Sequence, residues 1–118
     1  MVQYSPQHLD ATFAALADPT RRGVLDLLGH ADASVSELAE RFALTLTGMQ
    51  KHVAVLEKAG LVATEKVGRV RRCRLGPRRL DQEAAWIEQH RRLWESRFSA
   101  LDALVEALTR EEQTNANE

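Results

Sequence analysis

Residues Ser36 to Leu61 read SELAERFALTLTGMQKHVAVLEKAGL, and the fold turns on this stretch. It divides into two short amphipathic helices joined by a tight connection. In the first, Leu38, Ala39 and Phe42 fall at helical spacing. In the second, Met49, Val53 and Leu56 recur at i, i+4 and i+7 and make one apolar stripe. Thr47, Gly48, Gln50, Lys51, Ala54 and Lys58 face the other way, small, polar or cationic, with no acid before Glu57. A helix that buries one face and offers small donors and cations on the other fits the major groove of DNA. The reading is a helix-turn-helix with Thr47 to Ala59 as recognition helix. The plain alternative is a surface helix in a small all-helical domain. Thr47-x-x-Gln50 has capping-box spacing, and Thr45 is a rival cap two residues earlier. Gly60 can take the left-handed conformation that ends a helix.

The segment after Gly60 favours the DNA reading. Leu61 to Val67 and Val70 to Leu75 are two short β-prone runs, with Gly68-Arg69 between them as the tip of a hairpin. A hairpin directly after a helix-turn-helix is a wing. From Lys66 to Arg79 the chain carries Lys66, Arg69, Arg71, Arg72, Arg74, Arg78 and Arg79 and no acid. Such a run attracts phosphates and releases counterions on binding. A charged edge hairpin that resists aggregation is the alternative, but it does not explain so one-sided a run beside a basic helix face.

Length and charge set the bounds. The 118 residues make one domain with a modest core. The formal charge of −1 excludes a wholly basic nucleic-acid packager, while DNA binding depends on local charge. One cysteine, Cys73, leaves no disulfide framework and no thiol cluster for zinc. No run approaches the roughly 20 apolar residues of a membrane span, and Met1 onward lacks a secretory signal pattern. The expectation is a cytoplasmic protein without membrane contact.

Upstream, His8 to Ala17 reads as a helix with Leu9, Phe13 and Leu16 on one stripe. Asp18-Pro19 starts a second, Asp as N-cap and Pro at the first helical position. It runs to about Gly29 with Val24, Leu25 and Leu28 inward. Arg21 and Arg22 lie in its first turn, where the macrodipole disfavours cations. That cost points to a partner outside the helix, a carboxylate of a dimer mate or a phosphate; two solvated arginines are the plainer reading. Ser34-Val35 is a candidate strand that pairs with the wing, and Ser34 and Ser36 compete to cap the third helix.

After Pro77 a long helix runs from about Arg79 to Leu108. Leu80, Ala84, Ile87, Trp94, Phe98, Leu101, Val105 and Leu108 follow 3- and 4-residue steps, broken at Arg91 and widened by Trp86, Leu93 and Leu104. A helix of roughly 30 residues spans about 45 Å, longer than a small core needs. Part of it is expected to pack on a second copy, helped by Leu9, Phe13 and Leu16, as a homodimer. The domain then covers residues 1–110, and residues 111–118 (EEQTNANE) form a disordered tail.

These residues resemble the ArsR family of bacterial winged-helix repressors, from about His8 to Leu108. The matching motifs are Asp18-Pro19-Thr20-Arg21-Arg22 with Val24-Leu25-x-x-Leu28; Glu37-Leu38-Ala39; Lys51-His52-x-x-x-Leu56-x-x-Ala59-Gly60-Leu61-Val62; and the Gly68-Arg69 tip. The resemblance implies a mainly α fold with a small β-hairpin, α1-α2-α3-α4-β-β-α5, dimerised through the first and last helices. Ile87, Trp94, Phe98, Leu101 and Val105 then join Leu9, Phe13 and Leu16 in the dimer. It also implies sequence-specific operator binding and repression. Metal-sensing members carry cysteines in the third helix or Asp/His/Glu ligands on the last. Here Val35 to Ala39 has no thiol, and Asp81, Glu88 and His90 lack a second histidine one helical repeat away. The chain is similar to the branch without metal, and no metal or other cofactor is expected.

The expected site is therefore Thr47, Gly48, Gln50, Lys51 and His52 on the recognition helix and Arg69, Arg71 and Arg72 on the wing, gripping double-stranded DNA. Gln50 can pair with adenine and Lys51 with guanine. Thr47 reaches a base edge or a phosphate, Gly48 lets the backbone approach closely, and the arginines hold phosphates. His52, at a position matching the family motif, packs partly buried or touches a phosphate. Cys73 is expected to be a small buried apolar residue rather than a redox switch. Three other readings remain: a winged-helix protein-interaction module without DNA binding, a metal-sensing repressor, and an enzyme. No nucleophile, base and orienting group stand in a recognisable arrangement for the last. Nothing in the sequence names a small-molecule effector.

Overall fold

The hydrophobic stripes build one helical core with a small sheet on it. In the computed structural model, described for residues 6–78 and 80–116, the elements are α1 (Pro6–Leu16), α2 (Pro19–Leu28), β1 (Ala33–Ser34), α3 (Val35–Arg41), α4 (Leu46–Lys58), β2 (Val62–Val67), β3 (Val70–Leu75) and α5 (Asp81–Ala116). Residues 1–5, Arg79, and the last two residues of the expected tail lie outside the described residues. The sheet is antiparallel, ordered β1-β3-β2. Ala33 stands opposite Cys73 on one side of β3, and Thr64 opposite Cys73 on the other.

Local chemistry decides each boundary. Asp18 caps α2 by accepting from the Arg21 amide at 3.0 Å, with Pro19 behind it. Ser34 rather than Ser36 caps α3, accepting from the Glu37 amide at 3.0 Å. Thr45 rather than Thr47 caps α4: its extended backbone lets the hydroxyl accept from the Gly48 amide at 3.0 Å. Helix α4 therefore starts two residues earlier than the capping-box spacing suggested, and Thr47 and Gln50 are not spent on capping. Both α3 and α4 end in a Schellman motif. Leu44 N–H bonds Ala39 O and Ala43 N–H bonds Glu40 O after α3; Leu61 N–H bonds Leu56 O and Gly60 N–H bonds Glu57 O after α4. The left-handed residue is Gly60 (φ 79°) in one and Ala43 (φ 56°) in the other.

The chain divides into two units, one up to Glu83 and one from Ala84 onward. The stretch 1–110, expected as a single domain, thus spans both. The division reflects the distribution of burial: the buried apolar residues run from Ala15 to Cys73, and residues 84–116 bury none. In the first unit Met49, Val53 and Leu56 of α4 pack with Val24, Leu28, Leu38 and Cys73. At its end Arg78 pairs with the buried Glu83 in the first turn of α5. In the second unit α5 continues to Ala116, so the tail expected to be disordered from Glu111 is helical up to there. No glycine or proline interrupts it. Thr109 and Thr114 turn their hydroxyls back to the carbonyls of Val105 and Arg110 at 2.9 and 3.0 Å.

Candidate nucleic-acid interface

The apolar stripe of α4 fixes which residues look outward. Met49, Val53 and Leu56 are buried, so Thr47, Gln50, Lys51, Ala54 and Lys58 are exposed. Gly48 is half-buried. A Cβ there would stand 3.1 Å from the Thr45 hydroxyl, so the missing side chain also leaves room for the cap. The outer face thus combines an amide, a hydroxyl and two cations.

The wing is sorted by strand alternation, which puts successive side chains on opposite faces. Cys73 is buried, so Arg71, two residues away, shares its face, whereas Arg72 and Arg74 take the other. Arg71 donates to the Thr64 hydroxyl at 2.8 Å, and that hydroxyl donates to the Glu57 carboxylate of α4. A cleft of about 300 Å³ lies there, lined by Gln50, Ala54, Glu57, Thr64 and Arg71 among others. Sequence reasoning pools Arg71 with Arg72 as phosphate contacts, yet Arg71 joins the hairpin to α4 through Thr64 and Glu57, two residues that it missed. A hydroxyl at position 64 opposite Cys73 is their only trace in the sequence. Arg74 pairs with Glu65 at 3.6 Å, and Arg78 is taken by Glu83. The side chains of Lys66, Arg69 and Arg72 make no hydrogen bond or ion pair among the described residues. Burial pushes the Cys73 thiol up, and the Glu57 carboxylate adds to the shift, so it stays protonated near neutrality.

The middle of α4, at His52, meets the junction of α1 and α2. The Arg21 guanidinium donates from Nε to Ala15 O at 2.8 Å and from Nη2 to Ala14 O at 2.9 Å. Arg22 donates to Leu16 O at 2.7 Å. The outside partner sought for these cations is thus the C-terminus of the preceding helix, whose free carbonyls and negative dipole end attract them. His52 is half-buried, with Nδ1 at 3.3 Å from Arg21 Nη1 and 3.8 Å from Asp18 Oδ2. The Arg21 amide chiefly, helped by the Arg21 charge, holds the Asp18 carboxyl below its ordinary 3.8, against an opposing cost of desolvation second in size to the amide bond.

The residues expected in a dimer fall in both units. In the first, Leu9, Phe13 and Leu16 are half-buried, and Leu16 packs on the core. In the second, Ile87, Trp94, Phe98, Leu101 and Val105 are all more than half exposed, Trp94 at 64%. Among the described residues no three His, Cys, Asp or Glu side chains are grouped to hold a metal, and no helix is long and apolar enough to cross a membrane.

Known proteins share this arrangement. Residues 16–65 match the model of a helix-turn-helix domain family. The transcriptional repressor SdpR of Bacillus subtilis (strain 168) is 32% identical over 60 residues, 51% of this chain and 67% of the relative. A crystal structure of an ArsR family transcriptional regulator is 45% identical with a TM-score of 0.72, covering 81% of this chain and 98% of that one. An ArsR-like transcriptional regulator from Rhodococcus sp. RHA1 is 37% identical with a TM-score of 0.73, covering 86% and 93%. With helix-turn-helix, wing and identity in agreement, the chain belongs to the ArsR family of winged helix-turn-helix transcriptional regulators.

Proposed function

We propose that this regulator is a homodimeric, sequence-specific repressor that binds a pseudo-palindromic operator through Thr47, Gly48, Gln50 and Lys51 and holds its backbone with Arg69 and Arg72. The observation that carries this is the uncommitted outer face of α4: capping falls to Thr45, leaving Thr47 and Gln50 exposed beside Lys51. Gln50 has the geometry to pair with adenine and Lys51 to donate to guanine. Arg69 at the wing tip and Arg72 on the face away from α4 supply positive charge for phosphates. Arg71 is bound to Thr64 and acts by holding the wing against α4. Repression results from occupancy of a promoter-proximal operator, and two-fold symmetry would set two recognition helices roughly 34–36 Å apart.

Titration of the chain against its own upstream DNA and against random duplex, at two salt concentrations, tests the proposal. Operator binding well above random binding is expected. Gln50→Ala should cost about 1–3 kcal/mol at one base pair and relax the preference there. Arg69→Ala should weaken all duplexes alike and reduce the salt slope by about 0.9. A Gln50→Ala protein with unchanged site preference and affinity removes the readout role.

A further inference from the structure

Three helices meet at one guanidinium. Arg21 in the first turn of α2 binds the Ala14 and Ala15 carbonyls at the end of α1 through Nη2 and Nε, and reaches His52 of α4 through Nη1. Asp18, the α2 cap, receives the Arg21 amide at 3.0 Å and lies 3.8 Å from the same His52 nitrogen. The core beneath α4, made of Met49, Val53 and Leu56, is apolar. Apolar burial holds a helix down but is non-directional. The Arg21–His52 contact is directional, and a planar guanidinium fixed at two carbonyls has its third donor already aimed.

We infer that Asp18, Arg21 and His52 form a strut that sets the pose of the recognition helix, so that His52 governs operator affinity through Arg21 and not by touching DNA. This rests on the DNA-binding function proposed above. Arginine has only donors, so the His52 ring accepts at Nδ1 and carries its proton on Nε2. Asp18 holds the first turn of α2, and with it the Arg21 backbone, in place. His52 is thereby a positioning residue, and the Asp-Pro-Thr-Arg-Arg and Lys-His motifs, 31 positions apart at Arg21 and His52, become parts of one device.

Two measurements on the full chain test it. The first needs no DNA: ring nitrogen chemical shifts of His52 at pH 7.5. An unprotonated Nδ1 is expected, with a shift that moves in Arg21→Ala but not in Arg22→Ala. A proton on Nδ1, or indifference to Arg21→Ala, overturns the strut whether or not the chain binds DNA. The second is operator binding, at a temperature where every variant is verified as folded. His52→Ala and Arg21→Ala should each weaken binding about tenfold, and the double variant little more than either, because both break the same link. His52→Asn, whose Oδ1 can accept where Nδ1 does, should return to within about threefold of wild type. Effects of His52→Ala and Arg21→Ala that multiply, or an unaffected His52→Ala, overturn the inference while leaving the DNA-binding reading intact. Wild-type protein that binds no duplex overturns the DNA-binding reading and, with it, the role of the strut in affinity.

Discussion

At the scale of single residues, partners decide which cations are available. The side chains of Lys66, Arg69 and Arg72 make no internal bond among the described residues, whereas those of Arg21, Arg22, Arg71 and Arg78 are each held by a carbonyl, a hydroxyl or a carboxylate. Asp18 has a consequence for stability. Its carboxyl lies below the ordinary 3.8 in the folded chain, chiefly because the Arg21 amide bonds the charged form. A depressed acid stabilises the fold at all pH above the unfolded value, and that contribution disappears as pH falls through the folded value. Asp18→Asn should therefore be less stable than wild type at pH 7, and the gap should shrink below about pH 3.8. Urea midpoints at pH 7 and pH 3 check this, and a gap that stays constant would mean the charge contributes nothing.

At the scale of elements, backbone geometry closes the wing. The Gly76 amide bonds Leu61 O at 2.8 Å. A Cβ on Gly76 would overlap the Gly60 carbonyl oxygen, which is backbone and cannot rotate away. Gly76→Ala should cost about 1–3 kcal/mol by forcing β3 off the end of α4. Gly68→Ala is the comparison: nothing lies within 4 Å of its Cβ, and only the left-handed φ of 65° opposes it. That strain costs roughly 1–2 kcal/mol and stays at the tip. Denaturant midpoints rank the two, and a thiol reagent separates them. Cys73, buried on β3, should become reactive in Gly76→Ala and remain protected in Gly68→Ala. The tight turn of the helix-turn-helix depends on the same geometry, with Ala43 standing where a glycine would cost less.

At the scale of the whole molecule, the question is what covers α5. Trp86, Ile87, Leu93, Trp94, Phe98, Leu101, Leu104, Val105 and Leu108 are exposed. An apolar run of this extent on one helix marks an interaction surface, and an isolated helix has little stability in water without packing. Ion pairs Arg91–Glu88 at 2.9 Å and Arg92–Glu88 at 3.3 Å stiffen it, but exposed pairs contribute little. Under the homodimer proposal, Leu101→Glu with Val105→Glu should shift sedimentation from dimer to monomer. Wild-type melting should rise with protein concentration while the variant's does not. A wild-type chain that sediments as a monomer across the micromolar range rules the dimer out.

The order of helices and strands was legible because apolar spacing and turn residues are local properties of the chain. Met49, Val53 and Leu56 mark the buried face of α4, Asp18-Pro19 the start of α2, Gly60 the end of α4 and Gly68 the hairpin tip. The helix-turn-helix and its wing were legible from the same spacing, and the family motifs agreed with them. Tertiary structure alone decided which of two hydroxyls caps α4, that Arg71 turns to Thr64 while Arg72 turns away, that Arg21 and His52 meet, and that Glu83 is buried against Arg78. Those outcomes depend on neighbours distant in sequence. A charged or polar side chain takes the nearest complementary group in space, and spacing along the chain does not record where that group will be.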